Sequence, residues 1–148
     1  MFWRKRKSVI NKELLISNVK LVGYQLVKEI QKVDSFDMST CTPDMIAKFI
    51  DSLLYDEKFN APKIAFSWYW SKRVLAWYNG GDTIYFNSRC LNRPMASLVG
   101  TYYHELIHVI DAHVLCYCGH GNNDPRGKED TAPYWIGRKA KQLCKELK

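Results

Sequence analysis

The chain has 148 residues, 47% hydrophobic and 25% charged, which suits one domain with its own core. It contains no run of about 18 apolar residues, which excludes a membrane-spanning helix. No apolar leader or small-residue cleavage site follows the charged N-terminus, so a cytoplasmic protein is expected.

The formal net charge of +7 is unevenly spread. Residues 1–33 carry eight Lys/Arg against two Glu, residues 34–60 two Lys against six acids, and residues 126–148 seven Lys/Arg against three acids. Two basic ends fit a contact with nucleic acid, and they fit solvated basic helix faces equally well. Five cysteines, an odd number without regular spacing, read as reduced thiols.

Residues 1–8 read as a flexible basic arm, with Phe2 and Trp3 beside Arg4 to Lys7. A helix is expected from about Lys12 to Val33, because Leu15, Val19, Val22, Leu26, Ile30 and Val33 recur at three- and four-residue steps. Thr42 as N-cap, Pro43 at the first position and Asp44 in the first turn agree on the start of a second helix. Its buried side is Ile46, Phe49, Ile50, Leu53 and Leu54, and Asn60-Ala61-Pro62 stops it. The period then changes to two. Ile64, Phe66, Trp68 and Trp70 alternate with Lys63, Ala65, Ser67 and Tyr69, which predicts a strand whose aromatics enter a sheet core. Val74 to Tyr78 and Thr83 to Asn87 follow as two strands around the turn Asn79-Gly80-Gly81-Asp82.

Pro94 opens a third helix, expected to end near Cys118, with an apolar stripe of Leu98, Val99, Tyr102, Leu106, Val109 and Ile110. Beside that stripe lies His104-Glu105-Leu106-Ile107-His108. Residues four apart share a helix face, so His104 and His108 aim two imidazoles at one metal ion. Glu105, about 100° round the helix from His104, places a carboxylate beside that metal to hold a water. This pattern belongs to zinc-dependent hydrolases. A catalytic zinc takes a third protein ligand. His113 faces the other side of the helix, whereas His120, between Gly119 and Gly121, follows a turn that returns towards the metal. Asp111 is read as a group orienting an imidazole, and Asp124, Glu129 and Asp130 are alternative oxygen ligands. Cys116-x-Cys118-x-His120, joined by His113, is a rival soft-metal cluster. Thr131 caps a last helix running to about Leu147, with Ile136, Ala140, Leu143 and Leu147 on its apolar side. Helices flanking a block of three short strands define an α+β domain spanning residues 9–148.

The segments Ser67-Trp68-Tyr69-Trp70-Ser71-Lys72-Arg73, Thr83-Ile84-Tyr85-Phe86-Asn87, His104-Glu105-Leu106-Ile107-His108 and His120-Gly121 resemble the SprT-like metallopeptidases. Gly127-Lys128 and Ala132-Pro133-Tyr134-Trp135-Ile136-Gly137 are similar to the small phage-encoded members, which would place the protein in a host cytoplasm. The resemblance covers roughly residues 10–148. It implies a compact zincin-like fold, a Zn²⁺ cofactor held by His104, His108 and His120, and Glu105 as the catalytic carboxylate. Cellular relatives include proteases that digest proteins crosslinked to DNA. The cysteine zinc ribbon frequent at the family's C-terminus has no counterpart in this sequence.

Two functions follow. In the first, the chain is a zinc peptidase acting on a protein or peptide, with substrate extended along the Thr83–Asn87 strand as a sheet edge and an oxyanion donor in Tyr134 or Arg138. In the second, it is a non-catalytic nucleic-acid-binding protein with a structural zinc, whose site would be closed by four protein ligands.

Overall fold

The computed structural model describes residues 11–55, 61–113, 118–119 and 131–147. Four helices and one three-stranded mixed sheet make an α+β architecture. The expected basic arm at residues 1–8 lies outside the described residues.

Helix α1 (Lys12–Gln31) starts where the Asn11 side chain accepts the Glu13 N–H at 2.8 Å. It buries Leu15, Val19, Val22, Leu26 and Ile30 of the stripe expected from the sequence, but ends two residues before Val33, which is only half-buried. Helix α2 (Pro43–Tyr55) starts where Thr42 Oγ1 accepts the Met45 N–H at 3.2 Å. Phe49 is only half-buried at the edge of the core.

Strands β1 (Lys63–Ser67), β2 (Ala76–Tyr78) and β3 (Thr83–Asn87) lie in the order β1-β3-β2, with β1 parallel and β2 antiparallel to β3. The alternating run from Ile64 does not continue through Trp70. Ser67 pairs with Asn87, the last residue of β3, so no partner backbone remains beyond it. The Asn87 side chain, fully buried, takes over that task. Its carbonyl oxygen accepts the Tyr69 and Arg89 N–H groups, and its amide donates to the Ser71 and Val74 carbonyls. Residues 68–74 therefore form a loop, and Trp68 and Trp70 are 66% and 70% exposed instead of entering a sheet core. Tyr69 packs on Trp77 at 5.3 Å, and Trp77 stacks on Tyr85 at 5.5 Å.

A 3-10 turn (Ser88–Cys90) leads to α3 (Met95–His113), which touches α1, α2, α4 (Ala132–Glu146), β2 and β3. Leu98, Val99, Tyr102, Tyr103, Leu106, Ile107 and Ile110 of α3 are almost wholly buried. Two close approaches hold its neighbours. A Cβ on Gly23 of α1 would lie 2.7 Å from Tyr103 Oη and 2.9 Å from Tyr55 Oη. Those hydroxyls donate to the Val19 and Lys20 carbonyls, at 2.6 and 2.9 Å. On the other side α3 and α4 cross at Gly100 and Gly137, where a Cβ on Gly100 would lie 2.8 Å from the Gly137 carbonyl oxygen.

Thr131 stands at the N-cap of α4 but makes no side-chain cap bond; its backbone bridges Asp37 instead. Cys90, Cys118 and Cys144 are free, whereas Cys41 is disulfide-bonded, which corrects the expectation of reduced thiols at that position. Irregular spacing in sequence hides a pairing that the fold brings about. No helix among the described residues is long and apolar enough to cross a membrane.

Candidate active site

The buried stripe of α3 fixes what its other side shows. Tyr102, Tyr103, Leu106, Ile107, Val109 and Ile110 face the core, and His104, Glu105, His108 and Asp111 remain half-buried. The His104 and His108 ring centroids lie 5.3 Å apart, at 66°. Two imidazoles on one tetrahedral zinc, with Zn–N near 2.0–2.1 Å, put their centroids roughly 5 Å apart. The centroid spacing of the pair is of that size. His120, Asp124 and Glu129, the expected third ligand and two of its alternatives, lie outside the described residues. Within the described residues no cluster of three metal-ligating side chains occurs.

Burial pushes the Glu105 carboxyl up to about 7. A general base placed there is poised near neutral pH. The same burial has a consequence for stability. Below its ordinary value of 4.5 the carboxyl is neutral in the folded and unfolded chains alike. Between 4.5 and 7 the unfolded chain has released its proton while the folded chain still holds it, so stability falls across that window and levels off above it. In chelator-treated protein, Glu105→Gln is expected to be the more stable at pH 8, by at most about 3 kcal/mol. The advantage should shrink to nothing near pH 4.5. Urea melts at the two pH values measure it, and an equal difference at both would refute the account.

Asp111, expected to orient an imidazole, accepts the Cys118 N–H at 2.6 Å. The Gly119 N–H donates to the Met38 carbonyl at 2.9 Å, and Ser39 bridges Cys118. Residues 118–119 are thus fixed from two sides, directly before His120. The Cys118 thiol is buried, pushed up to about 11 by that burial, and lies 3.6 Å from Ser39 Oγ.

A groove runs past Glu105. One half is lined by Trp77, Tyr78, Gly80, His108 and Asp111, the other by Arg93, Thr101, His104, Tyr134 and Arg138, and both halves include Ala76 and Glu105. The wall is therefore β2. The expectation that Thr83–Asn87 offers a free edge is corrected, because β3 is the central strand, paired on both sides. The Asn87 N–H bonds to the Leu75 carbonyl. Pairing alternates along antiparallel strands, so the Ala76 N–H and C=O point away from β3, on the strand's outer edge.

Tyr134 sets its ring edge-on to His104 at 4.7 Å and shares the groove with Glu105, as does Arg138. Arg93 was not singled out by the sequence. Its guanidinium is half-buried beside Thr101, and no local motif announces it. The position just before Pro94 and the helix start is the only cue. Comparison of the whole chain with protein-family models, curated proteins and solved structures returns no match, so the functional reading rests on these residues.

Proposed function

We propose that the chain is a zinc-dependent peptidase of the SprT-like, zincin kind. The observation that carries this reading is the His104–His108 pair, 5.3 Å apart, beside a half-buried Glu105 and an outward-facing strand edge. His104 and His108 would hold the ion, with His120 as the third ligand. Zinc, when bound, supplies Lewis-acid polarisation of the scissile carbonyl and acidifies water. The chain does the rest. The Ala76 edge takes an extended peptide as an added strand. Glu105 accepts a proton from the attacking water and delivers it to the leaving amine. Tyr134, against His104, is placed to donate to the developing oxyanion, with Arg138 as the alternative donor.

The test is metal analysis with an assay of casein cleavage. Wild type is expected to hold one zinc and to cut, and His104→Ala is expected to lose metal and cleavage together. A His104→Ala protein that retains full zinc would sink the assignment.

A second reading has its own support. Exposed Trp68 and Trp70 sit among Lys72, Arg73 and Arg89, with the Arg89 guanidinium 5.5 Å over the Trp68 ring. Aromatic faces interleaved with cations suit single-stranded nucleic acid, as a contact beside the peptidase or as a binding function in its place. Trp68→Ala/Trp70→Ala should weaken binding of an oligo-thymidine about tenfold or more, and binding should fall steeply with salt. Binding unchanged by the double substitution would remove this surface from consideration.

A further inference from the structure

The groove is unequal in charge along its length. On the Leu75 side of Glu105 it opens into a cavity of about 530 Å³ whose wall carries Arg73, Arg93, Arg138 and Lys141, with Glu105 as the one acid among the described residues. On the Gly80 side the described wall residues include Asp111 and no Lys or Arg. Among the described residues no carboxylate pairs with Arg73, Arg93 or Lys141.

Arg93 is the anchor of this cation cluster. Its Nε donates to the Cys90 carbonyl and its Nη1 to Thr101 Oγ1, each at 2.9 Å, while Nη2 is buried and has no partner among the described residues. Burial pushes its pKa down, as expected for a cation taken from water without a counter-charge. Such a group costs stability unless an anion accompanies it. Thr101, which donates in turn to the Ser97 carbonyl, fixes the guanidinium on the first half of α3. Arg73 and Lys141 are exposed and flank it from the 68–74 loop and from α4.

We propose that this cavity is a carboxylate-binding subsite that selects peptides bearing an acidic side chain or a terminal carboxylate on one side of the bond held at Glu105. The proposal rests on the peptidase reading. The occupant is taken as peptide rather than nucleic acid because the cavity shares Ala76 and Glu105 with the rest of the groove. A peptide can hydrogen-bond the Ala76 edge and continue into the cavity, whereas a phosphodiester chain has no N–H and C=O ladder to offer. Asp111 at the far end repels a second acid, so selection is one-sided.

The test separates the two carboxylate sources and separates this subsite from the peptidase reading. Full-length Glu105→Gln protein is titrated with short fluorescein-labelled alanine-rich peptides. One carries a single Glu, one a Gln in its place, and the Gln peptide is made with either a free or an amidated C-terminus. Charge-assisted bonds to a desolvated guanidinium are worth about 10- to 100-fold in affinity. The Glu peptide should exceed the Gln peptide by that factor if side chains are read, and the free acid should exceed the amide if termini are read. Arg73→Glu/Lys141→Glu, at exposed positions that leave the fold intact by circular dichroism, should abolish the preference. Equal binding of all three peptides, or a preference untouched by the charge reversal, overturns the proposal. So does an oligo-thymidine that binds and loses affinity on charge reversal while the peptides show no preference. Casein cleavage by wild type is scored in parallel. A carboxylate preference without cleavage keeps the subsite and removes the peptidase, and cleavage without preference does the reverse.

Discussion

Glu105→Gln is expected to leave the protein folded and zinc-loaded while casein hydrolysis falls by about 10²–10⁴-fold, the usual worth of a positioned acid–base group. Gln keeps the size of Glu and one acceptor oxygen but removes the base. It takes no ligand from the metal, since the proposed ligands are histidines. The half-buried position of Glu105 makes the effect sharper, because the substitution also removes a carboxyl that burial already pushes up to about 7. The comparison that matters is zinc content against rate. Loss of both would mean that Glu105 supports the metal and is not a proton carrier. Cleavage at the wild-type rate would end the proposed mechanism outright.

Gly100→Ala should lower stability by about 1–3 kcal/mol, the range for overpacking a tight contact, and should lower activity as well. Alanine is ordinarily the better helix former by nearly 1 kcal/mol, so the sign runs against propensity. The reason is the crossing with α4. The new methyl would lie 2.8 Å from the Gly137 carbonyl oxygen and 3.1 Å from Lys141 Cβ. A backbone oxygen cannot swing aside as a side-chain end can, so the helices must separate. Gly137 itself sits 3.3 Å (by its absent Cβ) from His104 Cβ, and Tyr134 one turn earlier packs on the His104 ring. Separation therefore reaches the candidate site. Thermal melts and casein rates at a temperature where both proteins are folded would measure the two effects. A Gly100→Ala protein as stable as wild type would show that the crossing tolerates a methyl.

The parts of the fold that local chemistry dictates were legible in the sequence. Asn11 is the exception among the caps, since the expected helix start at Lys12 needed only the apolar stripe, but Thr42 and Pro43 marked α2 directly. The start of α3 after Pro94 and both ends of β3 also match. His104, Glu105 and His108 lie on one helix, so their four-residue spacing contains their geometry. What escaped is non-local. Strand order escaped because β1 pairs with β3 in parallel while β2, between them in sequence, takes the outside. Without that order a free sheet edge is expected at β3, which is the central strand. Trp68 and Trp70 looked like core residues because alternation carries no mark of where a partner strand runs out. Gly100 and Gly137 each read as a weak helix residue, and only their meeting gives them a function.

Asn87 concentrates the upkeep of a whole surface in one place. One amide answers Tyr69, Arg89, Ser71 and Val74, so the loop's backbone does not depend on which side chains stand at 68, 70, 72 and 73. Those positions are exposed and point away from the core. They can be exchanged as the hypervariable tips of a scaffold are exchanged, changing the surface the loop presents while α3 stays where it is. A library randomised at these four positions should retain folded members in high proportion, whereas a single change at Asn87 should empty it.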